Sequence, residues 1–174
     1  MLNLNQIIQE LQENNDLFVK KNGKNLKKHI KGQNPKIAIL TCSDSRVIPE
    51  YIFNKGIGEL FVIRVAGNIA IDSSVIISLE YAVDHLKIPL IIIMGHTYCG
   101  VVYAAENCSS DSNELLNEIK SSFSIDKNHI LSNLKRQIEM LPKRSNIIFK
   151  ALEDDRLKII GAVYHLENGN VEFL

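Results

Sequence analysis

Residues 60–94 read LFVIRVAGNIAIDSSVIISLEYAVDHLKIPLIIIM, and this stretch decides the fold. It begins and ends with continuous apolar runs, 60–63 and 90–94, which are typical of parallel strands covered on both faces. Between them, residues 72–86 carry apolar side chains at helical spacing, after the cap candidates Asp72 and Ser73. The order strand, helix, strand predicts a βαβ unit and therefore an α/β fold.

The pattern extends in both directions from this unit. A further apolar run at 37–40 predicts another parallel strand. Residues 114–141 place apolar side chains at helical spacing and predict a helix that Pro142 stops, with a short helix after it over 146–152. Residues 159–166 and 171–174 flank Asn168-Gly169, which predicts a terminal β-hairpin with a two-residue turn, because glycine accepts a positive φ at little steric cost.

Length and composition indicate one domain. The chain has 174 residues, of which 45% are hydrophobic and 23% charged, enough to bury a core. The first 20 residues form an amphipathic helical pattern, which we expect to pack on the body or on a partner subunit. We therefore predict a single domain with an N-terminal helical arm over 1–34 and an α/β core over 35–174, in which helices flank a mostly parallel sheet.

Charge and hydropathy exclude several classes of partner. Lys plus Arg and Asp plus Glu both number 20, which gives no general attraction to nucleic acid or to an anionic membrane. The longest apolar stretch is far shorter than the ~20 residues of a membrane span, and the first residues lack the features of a secretion signal. Three cysteines cannot form a disulfide framework without leaving one over, so we expect a cytoplasmic protein that acts on a small molecule.

Two short segments carry the chemistry, CSDSR at 42–46 and HTYCG at 96–100. Each follows a predicted strand, where ligand sites of open α/β sheets lie. Cys42, His96 and Cys99 offer two thiolates and one imidazole, which suit zinc and leave a fourth position open, as in catalytic sites. We expect one helical turn to bring the ligands of the second segment to the same metal.

Asp44 and Arg46 follow the first ligand at alternate positions. If the strand continues through Arg46, both side chains point to the same side as Cys42. Asp44 can then accept a hydrogen bond from a metal-activated water and aim its lone pair, while Arg46 keeps the carboxylate ionised and oriented. Two thiolates donate more charge to zinc than two imidazoles, so a zinc-bound water should be less acidic than in an all-histidine site. We therefore expect any activity that uses the zinc-bound hydroxide to rise with pH above neutrality.

The two segments together resemble the pair of zinc motifs of the β-class carbonic anhydrases. Residues 61–68, 78–83 and 161–174 resemble the same family in the same order. The resemblance implies a zinc lyase, a carbonate dehydratase that interconverts carbon dioxide and bicarbonate with one Zn²⁺ per chain. The implied ligands are Cys42, His96 and Cys99, and the implied catalytic pair is Asp44 and Arg46.

The same resemblance implies an assembly and a pocket. We expect a homodimer or a dimer-based higher oligomer, in which the N-terminal helices reach across to the neighbouring subunit. The candidate substrate-pocket residues are Val65, Ala66, Gly67 and Gly100. In some members of the family the aspartate itself binds zinc in place of water, so Asp44 has two possible resting positions, on Arg46 or on the metal.

Four alternatives remain open from the sequence. The same zinc ligands serve relatives that hydrolyse carbon disulfide or carbonyl sulfide, and a non-catalytic zinc-binding relative would also keep them. A structural site would recruit Cys108 as a fourth ligand, although this leaves Asp44 and Arg46 unexplained. A cysteine-nucleophile enzyme would use Cys42 activated by Arg46, although Asp44 would repel an anionic substrate.

Overall fold

The computed structural model describes residues 3–108 and 113–174, and the chain divides into two units, Met1–Gln33 and Asn34–Leu174. The first unit contains helix α1 (Leu4–Leu26) and a 3₁₀ turn, Lys27–His29. A capping box begins α1, because the side chains of Asn3 and Gln6 bond each other's backbone N–H. The predicted amphipathic helix is present, and no residue of it is buried.

The second unit is built on a five-stranded sheet. Its strands are β1 (Ile37–Thr41), β2 (Leu60–Arg64), β3 (Leu90–His96), β4 (Lys158–Tyr164) and β5 (Val171–Phe173). Their order is β2-β1-β3-β4-β5, with β5 antiparallel to β4 and every other pair parallel. The predicted α/β fold with a mostly parallel sheet and a terminal hairpin is confirmed.

Helices connect the strands and cover the sheet. They are α2 (Pro49–Ile52), α3 (Ser73–Asp84), α4 (Gly100–Glu106), α5 (Glu114–Lys120), α6 (His129–Arg144) and α7 (Asn146–Glu153). On β1, Ala38 and Leu40 pack in the cluster that includes α3, α6 and α7, whereas Ile39 packs in a separate cluster on the other face. Burial on both faces explains the continuous apolar runs. Among the described residues, no helix has the length and apolar character needed to cross a membrane.

The helix predicted over 114–141 is wrong in two respects. It is divided into α5 and α6, since Ser121 and Ser122 turn their hydroxyls back onto backbone carbonyls and Asn128 caps a new helix. Pro142 lies inside the last turn of α6, which ends at Arg144. A proline there removes one hydrogen bond close to the end of the helix, so it does not stop the helix at once.

The hairpin loop is longer than the predicted two-residue turn. A two-residue type I′ turn needs a positive φ at both central residues, but only Gly169 has one, at 77°. The N–H groups of Asn168 and Gly169 both donate to the carbonyl of His165, at 3.3 and 2.8 Å. The loop is therefore a turn closed by a left-handed glycine.

The strand order places a crevice between β1 and β3. β1 has β2 on one side and β3 on the other, so the direction of chain progression reverses at this border. Thr41 and Met94 are partners in the register, and the Thr41 hydroxyl donates to the Met94 carbonyl at 3.0 Å. The residues that follow β1 and end β3 therefore meet at the same edge of the sheet.

Candidate metal centre

Three potential metal ligands meet in this crevice. Cys42 directly follows β1, His96 is the last residue of β3, and Cys99 is the N-cap of α4. All three are buried, and their ligand atoms lie within 4.8 Å of one another. The structure thus brings together the three predicted ligands from two separate segments.

Hydrogen bonding determines which nitrogen of His96 can bind a metal. Its Nδ1 lies 2.9 Å from the Thr97 carbonyl, which can only accept, so Nδ1 carries the hydrogen and Nε2 keeps its lone pair. The Nε2 atom is buried and has no hydrogen-bond partner among the described residues. Buried polar atoms normally have partners, so an orphaned lone pair beside two sulfurs fits a bound cation.

The two sulfurs share one hydrogen bond, which favours ionisation of Cys42 and keeps the proton on Cys99. A hydrogen bond from Cys99 outweighs burial and lowers the pKa of Cys42 to about 4, and the same bond raises the pKa of Cys99. The Gly67 N–H also donates to the Cys42 sulfur at 3.4 Å. A divalent cation can replace the shared proton, and two thiolates with one imidazole are a donor set that zinc prefers.

Asp44 and Arg46 form a two-pronged ion pair next to these ligands. The Arg46 Nε and Nη2 atoms lie 2.9 and 2.7 Å from the two carboxylate oxygens of Asp44, and the Arg46 backbone N–H donates to one of them at 3.0 Å. The Arg46 side chain is the main reason that the pKa of Asp44 is well below its usual range. The Asp44 Oδ2 atom is 3.9 Å from His96 Nε2, so the carboxylate borders the metal position.

Two arginines connect the segments around the site. Arg64 Nη2 donates to the Asp44 carbonyl at 2.7 Å, and its Nε donates to the Cys42 carbonyl at 3.4 Å. Arg46 also donates to the Tyr98 carbonyl at 3.3 Å. These contacts fix the backbone that carries the ligand and the carboxylate.

The comparisons with known proteins agree with this site. A family model described as carbonic anhydrase matches residues 37–171. The chain belongs to the β-class carbonic anhydrase family. Carbonic anhydrase 2 of Mycobacterium tuberculosis is 35% identical to it over 153 residues, which cover 79% of this chain and 73% of that protein. The family predicted from the two motifs is confirmed.

Solved β-carbonic anhydrases also share the fold. One of two tetrameric enzymes from Sordaria macrospora superposes with a TM-score of 0.83 at 26% identity, covering 98% of this chain and 97% of its own. A Coccomyxa β-carbonic anhydrase in complex with acetazolamide gives the same TM-score at 26% identity, covering 100% of this chain and 87% of its own. The likeness therefore extends over nearly the whole chain.

The strand does not continue through Arg46, so the condition under which Cys42, Asp44 and Arg46 would share one side by strand alternation is not met. β1 ends at Thr41, and the Asp44 side chain accepts the N–H of Arg46 while the Asp44 carbonyl accepts the N–H of Val47 at 3.0 Å. Such a turn is favoured by aspartate because its carboxylate captures nearby backbone donors. The turn brings the carboxylate and guanidinium into direct contact.

The predicted helical turn between His96 and Cys99 is also wrong. β3 continues to His96, and α4 begins only at Gly100, so the two ligands are connected by a tight turn through Thr97 and Tyr98. Tyr98 has a φ of 55°, in the left-handed region that non-glycine residues seldom adopt. The His96 and Cys99 side chains come together as the spacing predicted, but the backbone between them is a turn and not a helix.

The four candidate pocket residues lie in different surroundings. Val65 and Ala66 line a cavity of about 450 Å³, which no metal ligand borders in the described part of the chain. Gly67 is buried behind Cys42 with a φ of 72°, and a Cβ there would lie 2.6 Å from the Ile119 side chain. Gly100 is exposed at the start of α4. Their role as a substrate pocket stays a prediction.

Sequence reasoning missed a buried polar network behind the Gly67 loop. From α6, the Asn133 amide donates to the Gly67 carbonyl at 2.8 Å, and the Gln137 side chain accepts the Ala70 N–H at 2.9 Å. Glu118 accepts hydrogen bonds from Gln137 and from two arginines, Arg136 and Arg144. The available signal was the spacing of Asn133 and Gln137, which puts two amides four residues apart on one face of α6.

Proposed function

We propose that this chain is a zinc-dependent carbonic anhydrase that interconverts carbon dioxide and bicarbonate, with one Zn²⁺ per chain on Cys42, His96 and Cys99. The observation that carries the proposal is the buried cluster of these side chains, in which the imidazole Nε2 borders the Asp44 carboxylate and has no hydrogen-bond partner within residues 3–108 and 113–174. Membership of the family supports the reaction. Three protein ligands leave one position open, which is the arrangement of catalytic zinc.

Zinc bound at this site would supply a hydroxide nucleophile near neutral pH, by lowering the pKa of its water. The role of Asp44 is then to orient that nucleophile. Its depressed pKa makes the carboxylate a weak base at neutral pH, so it accepts a hydrogen bond and directs a lone pair toward the carbon without removing the proton. Arg46 holds both carboxylate oxygens in place while it does so.

The ion pair also supports an open resting state, in which Asp44 stays on Arg46 and is not a metal ligand. Arg46 contacts both carboxylate oxygens, so binding the metal would cost Asp44 at least one of these charge-assisted bonds. We expect turnover to rise smoothly from pH 7 to 9 as the nucleophile ionises. An enzyme that is inactive at pH 7 and switches on abruptly at higher pH would place Asp44 on the metal.

Stopped-flow hydration of carbon dioxide by the zinc-loaded protein at pH 8.5 tests the function. Activity in the parent that falls sharply in Asp44→Ala, at equal zinc content, is the expected result. Without hydration at full zinc occupancy, carbon disulfide and carbonyl sulfide become the substrates to assay. A zinc-loaded protein that turned over none of these three substrates would be a non-catalytic zinc-binding relative, and the proposal would be wrong.

We propose that the chain forms a homodimer or a dimer-based higher oligomer through the apolar face of α1, with residues 1–34 acting as an arm. Leu4, Ile8 and Leu11 recur along one face of the helix and are 78%, 53% and 65% exposed. The related Sordaria macrospora enzymes are tetrameric.

Light scattering should give a multimeric mass for the parent and a smaller mass for Leu11→Asp, because a buried charge opposes apolar contact. Glu13→Lys changes a charge on the opposite face and should keep the parent mass; equal masses for all three proteins would contradict the proposal.

The cytoplasm is the location that we propose. The Cys42 and Cys99 sulfurs lie within 4.8 Å of each other, so an oxidising compartment would favour a disulfide at the expense of the thiolate ligands. Fractionation of cells that express the full-length protein would check this. Recovery of the active zinc form from an oxidising compartment would contradict it.

A further inference from the structure

Thr97 lies between a proposed metal ligand and the terminal hairpin, and its contacts reach both. Its backbone carbonyl accepts the Nδ1 hydrogen of His96 at 2.9 Å. Its side-chain hydroxyl accepts the N–H of Leu166 at 2.9 Å and donates to a Glu167 carboxylate oxygen at 2.7 Å. One residue therefore links the imidazole to the loop between β4 and β5.

The Thr97 carbonyl determines how the imidazole can bind a metal. A metal-binding histidine needs its other ring nitrogen bonded to an acceptor, which fixes both the tautomer and the angle of the ring. For His96 that acceptor is the carbonyl of the very next residue, so the ring can keep its direction only if this peptide keeps its orientation. The following residue, Tyr98, has a φ of 55° and does not favour that orientation by itself.

The terminal hairpin holds the Thr97 peptide in the orientation that Tyr98 does not favour by itself. The Thr97 N–H donates to the Tyr164 carbonyl at 3.0 Å, which continues the β3–β4 ladder for one more residue. The hydroxyl then uses its acceptor and its donor at once, on Leu166 and Glu167, so both sides of the residue are held by the hairpin.

We propose that Thr97 is a positioning residue, whose hydroxyl lets the β4–β5 loop hold the peptide that orients His96 toward zinc. This inference rests on the proposed zinc function of the same site. Loss of a partner that orients a metal-binding histidine typically weakens metal affinity about 10- to 100-fold. Because the hydroxyl does not touch the metal or the substrate position, its effect must pass through the geometry of His96.

Thr97→Val removes both hydroxyl contacts with little change of shape, and Thr97→Ser keeps the hydroxyl. Competition against a chelator should show zinc binding about 10- to 100-fold weaker in the valine variant and close to the parent value in the serine variant. The visible absorption spectrum of the cobalt-loaded proteins should change for valine and not for serine, since it reports the ligand geometry. Thermal unfolding of each variant separates these effects from general loss of structure.

A matched pair of charge-removing variants tests the loop without altering Thr97. Glu167 and Glu172 both lie within 3.5 Å of the His165 ring, but only Glu167 accepts from Thr97. Glu167→Ala should weaken zinc binding and Glu172→Ala should not, because alanine at 167 leaves the Thr97 hydroxyl without its acceptor, and this pair decides the matter if Thr97→Val fails to fold. The role of Thr97 would be overturned if folded Thr97→Val had the zinc affinity and cobalt spectrum of the parent. It would also be overturned if the two glutamate variants bound zinc equally well. Neither result would contradict the proposed function. A parent that binds no zinc would overturn the proposed function as well.

Discussion

The two segments that build the candidate metal centre leave their strands in different ways. Residues 42–46 supply one ligand and then a charged pair, in a turn whose Arg46 side chain is 53% exposed. Residues 96–99 supply two ligands, buried at 0% and 4% exposure, and no charged side chain. Under the proposed function, this difference divides the roles: both segments would bind the metal, and only the first would orient the nucleophile.

The largest effect on zinc content and activity is expected from removing a proposed metal ligand in residues 96–99. Cys99→Ser should reduce zinc content from about one per chain to well below that, and hydration should fall with it, since hydroxyl oxygen is a poor substitute for thiolate at such a site. Metal analysis after dialysis, together with circular dichroism to verify folding, measures this. Cys108→Ser is the control, because Cys108 is outside the ligand cluster found among the described residues and donates to the Ala105 carbonyl. Zinc loss in the control would favour the structural four-ligand alternative.

A smaller effect, confined to turnover, is expected from disrupting the ion pair between Asp44 and Arg46. Asp44→Asn should lower the hydration rate by about 10²- to 10³-fold while zinc stays near one per chain, because the amide is neutral and weakens both the Arg46 contact and the acceptor. Stopped-flow rates divided by the measured zinc content provide the test. Ser45→Ala, in the same turn, should keep the parent rate. If Asp44→Asn lost zinc and activity in parallel, the division of roles between the segments would be wrong.

The smallest effect concerns the buried polar network behind the loop of Gly67, whose N–H donates to the Cys42 sulfur. Burial tends to raise the pKa of Glu118, but hydrogen bonds from Arg136, Arg144 and Gln137 outweigh it and leave the pKa below its usual value. A folded-state pKa below the unfolded value stabilises the protein above about pH 4.5, and this contribution is lost as pH falls through the folded-state pKa. Glu118→Gln should therefore cost about 1–3 kcal/mol at pH 6.5 and less in acid.

Urea unfolding of the parent and of Glu118→Gln, at pH 6.5 and again in acid, gives the free energies of unfolding that check this prediction. Glu114→Gln is the matched control, since Glu114 is exposed in the first turn of the same helix and its replacement should change the free energy of unfolding by no more than about 0.5 kcal/mol. A difference between parent and Glu118→Gln that stayed the same from pH 6.5 to acid would show that the carboxylate charge is not what stabilises the network.

The sequence was informative where structure depends on local pattern. Continuous apolar runs predicted the parallel strands, and their ends predicted where Cys42 and His96 would meet. The pattern was less informative about the turns, because the Asp44 carboxylate captures backbone donors in place of strand continuation, and Tyr98 adopts a left-handed conformation.

Contacts between distant parts of the chain were beyond prediction. Asn133 bonds a carbonyl 66 residues away, at Gly67, and Thr97 bonds Glu167 at a separation of 70. Side chains of these types are usually exposed or satisfied locally, so even a pair of amides on one helix face does not identify its distant partners. Residues that support the site through long-range hydrogen bonds can therefore be identified only from the folded structure.

X-ray absorption at the zinc edge of the loaded parent tests the central claim most directly, that one zinc is held by two thiolates and one imidazole with a fourth position open to a non-sulfur ligand. The account predicts two sulfur neighbours at about 2.3 Å and two nitrogen or oxygen neighbours at about 2.0–2.2 Å. Three sulfur neighbours would add Cys108 and make the site structural, and a shell without sulfur would place the metal elsewhere. Either result would contradict the account.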